Sequence, residues 1–270
     1  RDDEETSRTL VHNNYIHDIG EIYHAGVGIW LAQSSHNRIS HNEIHDGYYT
    51  GISTGWNWSK APTRTLHNTI EFNHVHHVVR GMLSDGAGIY TLGTQTGTVI
   101  RNNVFHDIFP YMGDPTMAWG IYFDQGSNGM LAENNIAYNT LTGGLMNTGQ
   151  SGNTIRNNIL LDDRKRQFWQ TKSWNNRWER NVVSWSGETP LLAAFSGIDE
   201  KATRHPELIH HNLYWHAGQP MEMTGFDSFA AWQQAGFDAH SLVVDPQITE
   251  LDLPNRQLEF APASPIHQLG

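Results

Sequence analysis

Apolar and polar positions along this chain repeat with a period far longer than any helix or hairpin. Aligned on one asparagine, eight turns appear: Asn14, Asn42, Asn73, Asn103, Asn135, Asn158, Asn181 and Asn212. Three residues before each stands Val11, Ile39, Ile70, Ile100, Ala132, Ile155, Trp178 or Ile209. Two residues after stands Ile16, Ile44, Val75, Phe105, Ala137, Leu160, Val183 or Tyr214. Both columns point inward in a stack of short strands, and self-similarity of this kind is the mark of a solenoid. A third column, Gly28-Ile29, Gly51-Ile52, Gly88-Ile89, Gly120-Ile121 and Gly144-Leu145, predicts another strand in each coil.

Two features support vertical stacking independently. Two residues before the asparagine, Glu71, Arg101, Glu133, Arg156 and Glu179 alternate in sign. Parallel strands ~4.8 Å apart would make them an outward ladder worth roughly 0.2–1 kcal/mol per pair. The asparagine column also has a mechanism, because its amide bonds turn backbone, tolerates left-handed φ and can bond the next amide along the stack. The fold expected is all-β: a right-handed parallel β-helix of about eight coils over residues 1–215. The signal weakens after Asn181, with a long connection from Ser186 to His205. Residues 216–270 are expected to hold a short helix within Phe226–Gly236, capped by Asp227 or Ser228, and an extended proline-punctuated tail covering the end of the stack.

Composition fits many short strands and turns. Apolar residues make up 38 % and charged residues 17 %, both below the globular average. A net charge of −11 argues against nucleic acid, which needs clustered Lys and Arg, and disfavours polyanionic sugars. No apolar run approaches the ~20 residues of a membrane helix. With no cysteine, disulfides and thiolate metal sites are excluded. No signal peptide pattern is found, and the charged start Arg1-Asp2-Asp3-Glu4-Glu5 leads at once into repeats, as expected of a portion of a longer chain.

The candidate chemistry gathers between Leu83 and Asn128. Ser84-Asp85-Gly86-Ala87-Gly88-Ile89-Tyr90 and Trp119-Gly120-Ile121-Tyr122-Phe123-Asp124-Gln125 share a Gly-Ile-Tyr core and read as neighbouring strands. On the residues alone, Asp85 and Asp124 are either a carboxyl pair or a turn cap and a strand end. A straight strand would hold them about 20 Å apart, so a pair requires Ser84–Gly86 to curl over the face. Otherwise Asp114, His24 or His74 would partner whichever aspartate lies in the cleft. Trp30, Trp56, Trp58, Tyr90, Trp119 and Tyr122 either line a cleft for sugar rings or pack between layers. His17, His45, His76 and His106 form a column three residues after the asparagines, followed by Asp18, Asp46 and Asp107. Its regularity reads as turn chemistry, and no metal or cofactor is called for. His24 and His74 break that column.

The segments LSDGAGIYTLGTQTGTVIRNNVFHD, WGIYFDQGSNGMLAENN, LVVDPQI and APASPIHQLG together resemble the right-handed parallel β-helix enzymes of glycoside hydrolase family 141, over nearly the whole chain and in their C-terminal half. The resemblance implies a bacterial hydrolase, secreted or periplasmic, with fucosidase- or xylanase-like action on plant cell-wall polysaccharide. It implies Asp85 and Asp124 as catalytic residues; on the residues themselves His24, Trp30, Trp56, Trp58, His74, Tyr90, Trp119, Tyr122 and Gln125 are the candidates to contact a poly- or oligosaccharide. The sequence departs from the pattern at Asp124-Gln125, where Asp-Glu is frequent, and at Gly144-Leu145-Met146-Asn147, where a His-rich segment is frequent. A polysaccharide lyase and a non-catalytic binding solenoid are the alternatives.

Overall fold

The computed structural model describes residues 6–111, 117–148, 152–171, 175–187, 191–194, 205–217, 219–223, 226–252, 255 and 257–269. Each coil contributes three short strands. The third coil is representative, with Thr69–Glu71, His74–His76 and Gly86–Thr91. Equivalent strands stack into three parallel sheets of eight, nine and eight strands. The first sheet runs from Leu10–His12 to Ile209–His210 and the second from Tyr15–Ile16 to Leu242–Val243. The third runs from Ile29–Leu31 to Glu222–Met223. The architecture is a parallel β-helix.

The apolar columns stack in the register expected of them. Ile39, Ile70, Ile100, Ala132, Ile155 and Trp178 follow one another in the first sheet. Ile44, Val75, Phe105, Ala137, Leu160 and Val183 do so in the second. Ile52, Ile89, Ile121, Leu145 and Phe168 do so in the third. All belong to one buried core. The glycines before the third column are steric necessities. A Cβ at Gly88 would sit 2.5 Å from Phe105 Cδ1, and one at Gly120 would sit 2.8 Å from Ala137 Cβ. The third strand therefore passes directly over the inward residue of the second.

The asparagine column is a continuous hydrogen-bonded file. Asn42 Nδ2 donates to Asn73 Oδ1 (2.9 Å), Asn73 to Asn103 (3.0 Å), Asn103 to Asn135 (3.0 Å), and so on from Asn14 to Asn212. Each Oδ1 also accepts the preceding asparagine's backbone N–H, and from Asn42 onward the second Nδ2 proton goes to a carbonyl of the first sheet. The file ends on buried Asp238, which accepts from Asn212 Nδ2 (2.9 Å), Trp232 Nε1 (2.8 Å) and the Ser241 hydroxyl (2.5 Å). The left-handed residue is not the asparagine itself but the one before it: His41, Phe72, Asn102, Asn134 and Asn157 all have φ near +55°.

The alternating charges also stack as expected, Glu71 opposite Arg101 and Arg101 opposite Glu133. Glu71, with a side chain 3 % exposed, is gripped from both sides by Arg38 (2.6 Å) and Arg101 (2.7 Å). The stack continues beyond Asn181. Leu191–Ala194 and Glu222–Met223 extend the third sheet, although most of the Ser186–His205 connection lies outside the described residues. Phe229–Gln234 is helical, and its N-cap is Ser228, whose side chain accepts from Ala231 N. Ile248–Asp252 and Gln257–Phe260 form an antiparallel pair, and Leu269 and Ile266 pack on Val182 and Leu213.

Candidate functional site

The outward face of the third sheet breaks the repetition that governs the rest. In register from coil to coil it presents Trp30, Ser53, Tyr90, Tyr122, Met146 and Trp169. Tyr90 and Tyr122 lie on adjacent strands with ring centroids 4.8 Å apart, set edge to face. Their hydroxyls reach in different directions. Tyr90 donates to Asp124 Oδ2 (2.5 Å), and Tyr122 donates to Asp85 Oδ1 (3.2 Å). Each aspartate is thus held by the tyrosine of the neighbouring coil.

Local geometry brings residues from opposite strand ends to one tyrosine pair. Asp85 has φ +61°, so the chain turns immediately before the strand Gly86–Thr91. Tyr49 fixes that turn by donating its hydroxyl to the Asp85 carbonyl (2.9 Å). Asp124 follows the strand Ala118–Phe123 and heads a tight turn in which Ser127 N donates to its carbonyl (3.0 Å).

The two carboxyls live in different surroundings. Asp85 is exposed and Asp124 is buried. Burial raises the pKa of Asp124, against the opposing pull of the Tyr90 hydroxyl and the Gln125 backbone N–H. Burial, and then the Asp124 charge, push the Tyr90 and Tyr122 hydroxyls up, so both stay protonated donors. Tyr49 is raised to about 12 by burial and by Asp85. Two carboxyls whose surroundings push their pKa values apart are what acid–base chemistry can draw on.

Trp30, Trp56 and Trp58 form an exposed staircase, with ring centroids 5.4 Å and 5.0 Å apart. Trp30 belongs to the same outward file as Tyr90. The loop carrying Trp56 and Trp58 is seated beside Asp124, because Gly93 and Gly126 leave room for it. A Cβ on Gly126 would lie 2.1 Å from Ser59 O, and one on Gly93 would lie 2.8 Å from Asn57 O. Thr94 Oγ1 then donates to Lys60 O (3.2 Å). Gln125 is exposed at the same turn, its carbonyl accepting from Gly93 N.

The structure corrects two of the expected site residues. Trp119 is fully buried, packed between Tyr122 and Trp169, and supports the floor rather than lining an open cleft. His74 lies on the second sheet, where it meets His76 and His106 instead of either aspartate. His24 occupies the loop after the first coil's second strand, bonded to Gly20 O (2.8 Å) and edge-on to Tyr48. Asp114 lies outside the described residues.

The sequence reading missed Tyr49, Met146 and the pair Arg166–Trp169, whose guanidinium stacks 4.5 Å over the indole. Trp169 is in phase with Met146, but Gln167 stands where earlier coils have glycine, which hid the match. Burial lowers the pKa of Arg166, and its Nε has no hydrogen-bond partner among the described residues.

The family model described as "Right handed beta helix region" matches residues 3–113 and 64–192, together well over half of the chain. The chain belongs to this right-handed β-helix family. Among curated proteins none matches. A solved structure titled "Glycoside hydrolase" is similar to this right-handed β-helix at a TM-score of 0.52 and 25 % identity, over 66 % of the present chain and 26 % of that one. The chain thus spans about a quarter of that protein's length.

Proposed function

We propose that this β-helix carries the catalytic face of a glycoside hydrolase acting on plant cell-wall polysaccharide, with fucosidase- or xylanase-like specificity. The observation that carries the reading is the crossed Tyr–Asp arrangement. Two carboxyls from adjacent coils are held on one face, one buried and one exposed, by two tyrosines kept protonated. In this reading Asp124 is the general acid, and its burial keeps a proton available for the leaving oxygen. Asp85, in contact with solvent, is the base or nucleophile. Trp30, Trp56 and Trp58 offer flat faces to the CH faces of sugar rings leading to the pair, and Gln125 adds a hydrogen-bonding side chain at the Asp124 turn. The similarity to a structure titled glycoside hydrolase supports the class.

One observation favours a second reading. Arg166, stacked on Trp169 two coils along the Tyr122 file, is a cation suited to a uronate, which a polysaccharide lyase on the same fold would cleave by β-elimination. The two readings part in a single incubation with xylan, fucosylated oligosaccharides and uronate-containing polymers. Hydrolysis releases reducing ends with no ultraviolet-absorbing product. An unsaturated, absorbing product would establish the lyase, and binding without turnover would leave a non-catalytic solenoid.

A further inference from the structure

The outward face of the second sheet holds a histidine column whose rings stack from coil to coil: His17 on His45 (5.5 Å), His45 on His76 (4.9 Å) and His76 on His106 (4.8 Å). In most coils the column serves its turn. Nδ1 of His17, His45 and His106 bonds the following Asp18, Asp46 or Asp107 at 2.6–2.8 Å, and each of those aspartates is left-handed. His74 is different. It is not a column member, and its counterparts on the adjacent strands are Glu43 and Val104. It sets a third imidazole beside two stacked column rings, 4.4 Å from His76 and 4.9 Å from His106.

The donor atoms converge. His74 Nε2 is 2.7 Å from His106 Nε2, and one ligand atom from each of His74, His76 and His106 lies within 4.8 Å of the others. Glu43 Oε1 comes from the coil below, 3.4 Å from His76 Nε2 and 3.9 Å from His74 Nδ1. Tetrahedral zinc at about 2.0–2.1 Å from nitrogen sets its ligands roughly 3.3 Å apart, a separation these distances bracket. His106 Nδ1 is oriented by Asp107 at 2.7 Å, which leaves Nε2 facing the cluster in the carboxylate–histidine arrangement of metal sites. A hydrogen bond between two neutral imidazoles would account for His74 and His106. It would not account for the third ring, His76, whose ligand atom falls in the same cluster. Access exists too, because Glu43 and His74 line a groove of about 340 Å³ with Tyr15, His41 and Phe72.

We propose that His74, His76 and His106 form a binding site for a divalent transition metal, zinc being the best chemical match. Three imidazoles without thiolate suit zinc over calcium or magnesium, which take oxygen ligands. The site ties two successive coils together on a different sheet from the aspartate pair, so its role is to clamp the stack.

The test uses the full chain, stripped with chelator and titrated with zinc chloride by calorimetry, with thermal unfolding followed in parallel. The expected result is one zinc per chain and a higher Tm with zinc than without. His74→Gln and His106→Gln should abolish stoichiometric binding, and Asp107→Asn should weaken it by roughly 10–100-fold. His17→Gln, in the column but outside the cluster, should bind as the native chain does. Cobalt(II) in the native chain should give the intense visible bands of a four-coordinate site. Absence of stoichiometric zinc binding and of any zinc-dependent rise in Tm in the native chain would overturn the proposal, whatever the variants do. So would native-like binding by both His74→Gln and His106→Gln.

Discussion

Coils three and four present two outward faces with the same strand spacing and opposite habits. On the second sheet His76 and His106 stack almost parallel, at 5°, as members of a file that repeats one residue type. On the third sheet Tyr90 and Tyr122 occupy equally registered positions but stand at 85°, and each reaches an aspartate of the other coil. Both files run on parallel strands in register, and what differs along them is the side chains. A file that repeats itself solves a packing problem once per coil. A file that changes from Trp30 to Ser53 to Tyr90 to Tyr122 to Met146 gives up that economy. On the second sheet coil three departs from the repeating habit, with His74 beside the column and His77 in place of the aspartate, and three imidazoles converge there.

The comparison can be sharpened from the structural side first. Asn103 is the ladder position where a substitution should hurt most. Its amide donates to Asn135 Oδ1 and Ile70 O and accepts from Asn73 N and Nδ2, all buried. Asn103→Ala would leave several buried polar groups unpaired at roughly 1–3 kcal/mol each, a total of about 4 kcal/mol. Urea unfolding should show that loss as a lower midpoint. A loss below about 1 kcal/mol would mean that the repeating files carry little of the stability.

A smaller effect is expected from the charge ladder, and it depends on pH. Burial alone would raise the pKa of Glu71, but hydrogen bonds and charge from Arg101 and Arg38 more than offset it and the net shift is downward. A carboxylate depressed in the folded state stabilises it fully above its unfolded value, here 4.5, and the contribution is lost as pH falls through the folded value. Thermal unfolding of Glu71→Gln should therefore converge on that of the native chain under strong acid and fall below it at neutral pH. A difference that stayed constant with pH would contradict the pairing.

How much of this was legible in the sequence follows the same division. The three inward columns, the asparagine file and the alternating charges were readable, because stacking converts a distant repeat into direct contact and each contact demands a particular residue type. A second amide file, Asn37 to Asn68, was not seen, since its next member is Thr98 and the pattern of letters breaks while the hydrogen bond continues. The left-handed position beside the ladder was assigned to the wrong residue of the pair, because His41, Phe72 and Asn102 share no chemistry that marks the conformation. At the candidate site, Asp85 and Asp124 could be named, but the turn at Asp85 and the crossed tyrosines that join them could not. Nothing in the spelling distinguishes Tyr90, whose hydroxyl reaches Asp124, from Trp119, whose ring is packed away beneath it.

The account rests on that crossed pair, and one measurement tests it most directly: reducing-end release from the best substrate by Asp124→Asn, with thermal unfolding of the same sample. The raised pKa of Asp124 means that its charge costs the fold stability at neutral pH, so the variant should unfold at the same temperature as the native chain or higher. Its turnover should fall by about a thousandfold, roughly 4 kcal/mol of barrier. Native-like turnover in a fully folded Asp124→Asn chain would contradict the assignment.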